Sequence, residues 1–174
     1  MTPQQLESFI RNVPDFPKPG IMFKDITPLL RSGEALSATC AKLAEPFRDQ
    51  GVTVVAGIES RGFIFGAIVA QNLGAGFVPI RKPGKLPWAT RKHEYVLEYG
   101  SDALEIHDDA LSASDRVVVI DDVLATGGTL AAATHLVRGF EATLVGTAVV
   151  IELGFLGGRE RLGGNVKVHS VLTY

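Results

Sequence analysis

The chain has 174 residues, 46% of them hydrophobic and 21% charged, and its formal net charge is −2. That length buries a core within one domain, 1–174, and the composition excludes a disordered or collagen-like polymer. The charge balance supplies no global basic field, so nucleic acid is not an expected partner, whereas small anions remain open.

At the N-terminus, Thr2, Pro3 and Gln5 stand in the order of helix cap, first helical position and capping-box partner, which predicts a short helix through about Arg11. The opening residues lack the charged and apolar regions of a signal peptide, and no apolar run reaches membrane-spanning length. Cys40 is the only cysteine, which excludes an internal disulfide and a multi-cysteine metal site; a cytoplasmic protein without membrane contact is expected. Pro14, Pro17, Pro19 and Pro28 then argue against regular helix and central strand. Phe16, Ile21, Met22 and Phe23 are too apolar for a free linker, so a packed, ordered loop is expected there.

Leu36, Leu43, Ala44 and Phe47 fall at helical spacings and predict an amphipathic helix ending near Gly51. A strand over 52–58, a helix over 62–73 and a strand over 76–80 follow in βαβ rhythm. From Arg81 to Ser114 the chain turns polar, and a mobile loop leading into a hairpin is expected. Within it, Arg91, Lys92 and His93 carry no assigned role, and His93 reads as an exposed, non-catalytic histidine. Val117 to Ile120 is a β-branched and apolar run, the mark of a central parallel strand covered on both faces. A helix over 128–140 and strands over 144–151 and 166–172 complete the reading. The fold class is α/β, a twisted parallel sheet flanked by helices.

The most informative stretch is Val117-Val118-Val119-Ile120-Asp121-Asp122-Val123-Leu124-Ala125-Thr126-Gly127-Gly128-Thr129. Gly127 and Gly128 let the backbone approach a ligand closely, and the N–H groups opening the next helix carry the positive end of its dipole. A phosphate suits that turn, with hydroxyl donors from Thr126 and Thr129. Asp121 and Asp122 repel phosphate and call for a ribose diol, or a magnesium ion riding on a polyphosphate. No Gly-Lys-Ser/Thr and no Gly-x-Gly-x-x-Gly occurs, which disfavours nucleotide triphosphatases and Rossmann dehydrogenases.

Val118 to Thr129 resembles the phosphoribosyl pyrophosphate (PRPP) motif of type I phosphoribosyltransferases. Three further segments, in the family's order, are similar to its adenine-specific members: 16–30, Glu59-Ser60-Arg61-Gly62, and Arg81 to Pro87 followed by Leu97-Glu98-Tyr99-Gly100. The resemblance implies the type I phosphoribosyltransferase fold with a small N-terminal hood at about 13–30 and a mobile loop or hairpin at about 82–106. It implies ribosyl transfer from PRPP to adenine with Mg2+ held mainly by PRPP, and a homodimer.

Residue by residue, the resemblance places the 5-phosphate on Ala125, Thr126, Gly127, Gly128 and Thr129. It places pyrophosphate on Ser60, Arg61, Arg81, Lys82 and Lys85. Backbone groups of Met22 and Lys24 read the adenine edge between the walls Phe23 and Val123. Glu98 and Tyr99 arrive when the loop closes, Glu98 to handle a purine proton or position the base. The charge that builds on the ribose during transfer suits Asp121 and Asp122 as catalytic carboxylates. Other acceptors, such as hypoxanthine, guanine, xanthine or orotate, are disfavoured by the hood and the Leu97-Glu98-Tyr99-Gly100 element. A regulatory PRPP-binding protein is disfavoured because neither a DNA-binding helix pair nor a basic face is evident.

Overall fold

The computed structural model of the chain describes residues 1–96 and 101–174. Helix α1 (Pro3–Glu7) is closed by the expected capping box, Gln5 N–H to Thr2 Oγ1 at 3.3 Å and Thr2 N–H to Gln5 Oε1 at 2.7 Å. It ends four residues before the expected Arg11, because Arg11 opens a strand. β1 (Arg11–Pro14) and β2 (Met22–Asp25) pair antiparallel from Arg11 opposite Asp25 to Pro14 opposite Met22. The proline-rich segment therefore carries a two-stranded ribbon in place of the packed, ordered loop expected. A ribbon has only edge strands, which tolerate Pro14.

The exclusion of helix fails at α2 (Thr27–Arg31), which holds Pro28 in its first turn, where proline's missing N–H is not needed. Asp25 accepts from the Thr27 N–H at 2.9 Å and its hydroxyl at 2.8 Å, which holds its carboxyl below the usual range.

The main sheet is parallel throughout, in the order β4-β3-β7-β8-β9. Its strands are β3 (Val54–Ile58), β4 (Gly76–Ile80), β7 (Arg116–Leu124), β8 (Thr143–Glu152) and β9 (Val168–Thr173). Helices α3 (Gly33–Ala44) and α4 (Gly62–Leu73) lie on one face, and α5 (Gly128–Arg138) on the other. The central strand β7 shows why its run lacked alternation. Val118 and Ile120 pack with Leu43 and Phe65 in one core, while Val117 and Val119 pack with Ala133 and Val137 in the second. Cys40 is fully buried on α3, and burial pushes its thiol up to about 12, as befits an inert core residue. α3 stops at Ala44, short of Gly51, with a tight turn over Glu45–Phe47 around Pro46.

β5 (Thr90–Val96) and β6 (Ser101–His107) form the expected hairpin. It leaves the sheet edge at Arg81, whose backbone exchanges hydrogen bonds of 2.9 and 2.8 Å with Glu105. Its β5 face lies along α5: the Arg91 guanidinium stacks 3.9 Å from the Phe140 ring centre, and His93 stacks on His135 at 3.9 Å. His93 is thus half-buried and paired, contrary to the exposed histidine expected. A period-2 strand presents residues 91, 93 and 95 to one side, and the helix beneath decides that this side is covered. A short α6 (Gly158–Leu162), unannounced by any apolar period, precedes β9.

Candidate active site

β3 runs into α4 on one face of the sheet and its neighbour β7 runs into α5 on the other, so the carboxyl ends of these two strands part around a crevice. Open α/β sheets bind ligands at such a switch point. Two close approaches build its floor. A Cβ on Gly62 would stand 2.7 Å from the Ile120 carbonyl oxygen, so only glycine lets the start of α4 lie against β7. Gly127 takes φ +82° and a Cβ there would meet the Gly158 carbonyl oxygen at 2.3 Å, so the glycine turn rests on the backbone of α6.

β7 continues through Asp121 and Asp122, which lie within the strand and not in the turn after it, and both are buried. Arg61 reaches across from the turn before α4, and its Nε forms an ion pair with Asp122 Oδ2 at 2.8 Å. Burial, with the Asp122 charge beside it, pushes the Asp121 carboxyl well above the usual carboxylate range. Beyond the pair, Thr126, Gly127, Gly128 and Thr129 wrap a cavity of about 120 Å³ at the N-terminus of α5. The N–H groups that open α5 and the positive end of its dipole suit that hollow to an anion.

On the other side of Asp122 a second cavity, about 180 Å³, is lined by Met22, Phe23 and Lys24 from the hood, by Val123 and Ala125 after the carboxylates, and by Ile151 and Leu153. Phe23 is braced edge-on by Phe16 at 5.1 Å, and the Arg61 guanidinium stands 5.8 Å from its ring centre. The slot is mostly apolar, with Phe23 and Val123 both in its lining. Ile151 and Leu153 were missed because nothing local distinguishes the end of β8 from any buried strand.

Ser60 and Arg61 occupy the turn after β3, where the Glu59–Ser60 peptide bond is cis. The cations of 81–85 gather at the same turn, but each is tied to a carboxylate. Arg81 Nε donates to Glu59 at 3.1 Å, as does the Lys82 backbone N–H, and the Lys85 ammonium completes the shell. Burial raises the Glu59 carboxyl, and these three donors more than reverse it, leaving it below its ordinary value. The Lys82 ammonium instead pairs with Asp102 and donates to the Tyr95 hydroxyl at 3.2 Å. Glu59, Tyr95 and Asp102 escaped assignment because their roles come from contacts between distant segments. Glu98 and Tyr99 lie outside the described residues.

With carboxylates inside its central strand, between a glycine turn at a helix start and an arginine turn after the adjacent strand, the crevice is laid out as in phosphoribosyltransferases. A family model described as the phosphoribosyl transferase domain matches residues 29–162. The adenine phosphoribosyltransferase of Nitrosococcus oceani is 53% identical over 171 residues, covering 98% of this chain and 99% of the relative. The crystal structure of adenine phosphoribosyltransferase from Rhodothermus marinus superposes with a TM-score of 0.94 at 52% identity, covering 99% of this chain and 98% of that one. The Saccharomyces cerevisiae enzyme, complexed with an imino-altritol bisphosphate and adenine, gives 0.92 at 41% identity, with 98% of each chain covered. The chain belongs to the adenine phosphoribosyltransferase family.

Proposed function

We propose that the chain transfers the 5-phosphoribosyl group of PRPP to adenine, releasing pyrophosphate and forming AMP, a purine-salvage reaction. The observation that carries this reading is the placement of the Asp121–Asp122 pair between the hollow of 126–129 and the apolar slot beside Phe23. A ribose spanning the pair sets its 5-phosphate in the hollow and its C1 at the slot. The yeast relative's complex with adenine and a sugar bisphosphate supports the same two ligand types.

In this reaction the bond from C1 to pyrophosphate breaks and a bond from C1 to a purine nitrogen forms, with one proton leaving the purine. Positive charge builds on the ribose ring, and the carboxylates of Asp121 and Asp122 stabilise it directly or through the ribose hydroxyls. Backbone N–H groups of Ala125 to Thr129 anchor the 5-phosphate. Ser60, Arg61, Arg81, Lys82 and Lys85 hold the pyrophosphate, the last three by sharing cations now tied to Glu59 and Asp102. Backbone groups of Met22 and Lys24 read the base, clamped between Phe23 and Val123. Glu98 handles the purine proton or positions the base, and Tyr99 helps the loop of about 82–106 close against water.

Among the described residues no group of three or more His, Cys, Asp or Glu side chains is arranged to hold a metal. The oxygen donors of Asp121 and Asp122 suit a magnesium ion that arrives on PRPP, where it neutralises the leaving pyrophosphate. A single 1–174 domain with its hood at about 13–30, a homodimer and a cytoplasmic location complete the proposal. They rest on the family resemblance, the lone buried cysteine, and a chain in which no described helix is long and apolar enough to cross a membrane. Supplying PRPP, Mg2+ and adenine, hypoxanthine, guanine or orotate in separate reactions tests the reading. AMP from adenine alone is the expected result, and turnover of another base in place of adenine overturns it.

A further inference from the structure

Tyr174 follows β9 and takes no part in the chemistry above, yet it is fixed against one wall of the base slot. Its N–H donates to the Glu152 carbonyl and its own carbonyl accepts from the Gly154 N–H, both at 2.9 Å. These two bonds bracket Leu153, which lines the slot. The backbone that carries the Tyr174 ring is therefore anchored to the end of β8 in the main sheet. The hood ribbon of β1 and β2 is a separate two-stranded sheet that shares no ladder with the main one.

Lys24 connects the two. A strand sends successive side chains to opposite faces, so Phe23 walls the slot while the Lys24 side chain crosses to Tyr174. The Lys24 ammonium stands 3.7 Å from the centre of the Tyr174 ring and donates to Asn12 Oδ1 at 2.8 Å. Asn12 is the residue opposite Lys24 on β1, so both strands of the ribbon are gathered on the one ring. Among the described residues no carboxylate pairs with Lys24, and the neighbouring Asp25 is paired with Arg11 at 3.5 Å. The ring face and the amide oxygen thus decide where this cation rests. The attraction is between the positive charge and the ring's quadrupole, which a phenylalanine ring also supplies. Because the functional reading sets the Lys24 main chain against the adenine edge, a tether on its side chain fixes where that edge is read.

We propose that Tyr174 is a positioning residue for the base, its ring acting through the Lys24 ammonium to hold β2 where the main chain of Met22 and Lys24 meets adenine. This deepens the functional reading above and rests on it. The test is Tyr174→Leu, which keeps the main-chain bonds around Leu153 and an apolar side chain but deletes the aromatic face. The KM for adenine rises about three- to fivefold, because a hood released from the ring is competent for the base only part of the time. The KM for PRPP and kcat stay within about 1.5-fold, which a general loosening of the fold would not allow. Tyr174→Phe keeps the ring and matches the parent. Lys24→Met keeps the main chain and raises the KM for adenine at least as far, since the Asn12 bond goes too, and adding Tyr174→Leu to it raises that KM no further. An unchanged KM for adenine in Tyr174→Leu or in Lys24→Met, a full additional rise in the double variant, or a Tyr174→Phe as impaired as Tyr174→Leu overturns the proposal. So does a Tyr174→Leu chain that fails to fold, or that loses kcat and both substrates together, which marks the ring as packing alone. Failure of the unaltered chain to make AMP is a separate result, visible before any variant is made, and it removes the functional reading itself.

Discussion

Arg159 grips Glu152 with both arms of its guanidinium, Nε at 2.5 Å and Nη2 at 2.6 Å from the two carboxylate oxygens. Glu152 ends β8 and is buried, while Arg159 sits on α6 one residue beyond Gly158, the backbone on which the Gly127 turn rests. The pair therefore fixes the height of the phosphate hollow from beneath. The bonds from Arg159 outweigh burial and hold the Glu152 carboxyl below its usual range. Arg159→Ala removes the charge partner of that carboxylate and leaves it the Ser170 hydroxyl, at a cost of about 2 kcal/mol, less than for a fully buried pair because Arg159 is half exposed. A melting midpoint lower by roughly 4–8 °C is expected. PRPP affinity should fall with it, and calorimetry on the folded variant checks the second effect. Arg159→Lys should restore little, since an ammonium cannot reproduce the two-point grip.

Asp121 is stable only at a cost. Its carboxyl titrates above the ordinary carboxylate value of 3.8 in the folded chain because of burial and the Asp122 charge. Between 3.8 and that raised value the folded state binds more protons than the unfolded one, so stability falls as pH rises through the window and stays reduced above it. Asp121→Asn keeps an oxygen for the Asp122 N–H, now 2.9 Å away, and removes the repulsion. Its melting midpoint should exceed the parent's at pH 8, with the gap closing toward pH 4, while kcat drops about 10²-fold. A variant less stable than the parent at pH 8 contradicts this reading of the pair.

Phe23→Ala removes one wall of the apolar slot without touching the hollow at 126–129. The KM for adenine should rise about 5- to 30-fold, the loss of an aromatic contact and its buried area, with PRPP binding nearly intact. Equal losses for both ligands in a titration would count against a base-specific slot.

His93 and His135 stack with their rings 25° from parallel. Burial first, and the proximity of His135 second, lower the His93 pKa below the ordinary 6.5. The neutral ring is favoured in the folded chain, so its contribution to stability is complete above 6.5 and is lost as pH falls through the lowered value. Proton NMR of the imidazole resonances should show His93 titrating below 6.5, and His135→Ala should move it upward. A His93 that titrates at 6.5 in both proteins contradicts the stack.

Much of this architecture could be read from residues alone, and the gaps have identifiable causes. The Val117–Ile120 run announced a strand covered on both faces because helices press on it from either side. The Thr126-Gly127-Gly128-Thr129 turn was legible because φ above zero and close approach demand glycine. The hood ribbon was missed because Pro14, Pro17 and Pro19 hide pairing between two edge strands, and α6 because five residues carry too short a period to show. The cations of 81–85 were visible as a cluster. Their carboxylate partners Glu59 and Asp102 were not, since each meets its cation about 20 residues away across the fold.

A crystal structure with AMP bound tests the assignment of the two cavities most directly. The expected result has the phosphate within hydrogen-bonding distance of the backbone N–H groups of 126–129, the ribose hydroxyls on Asp121 and Asp122, and the purine between Phe23 and Val123. A phosphate seated instead against Arg81 and Lys85, or a purine outside the hood, would contradict it.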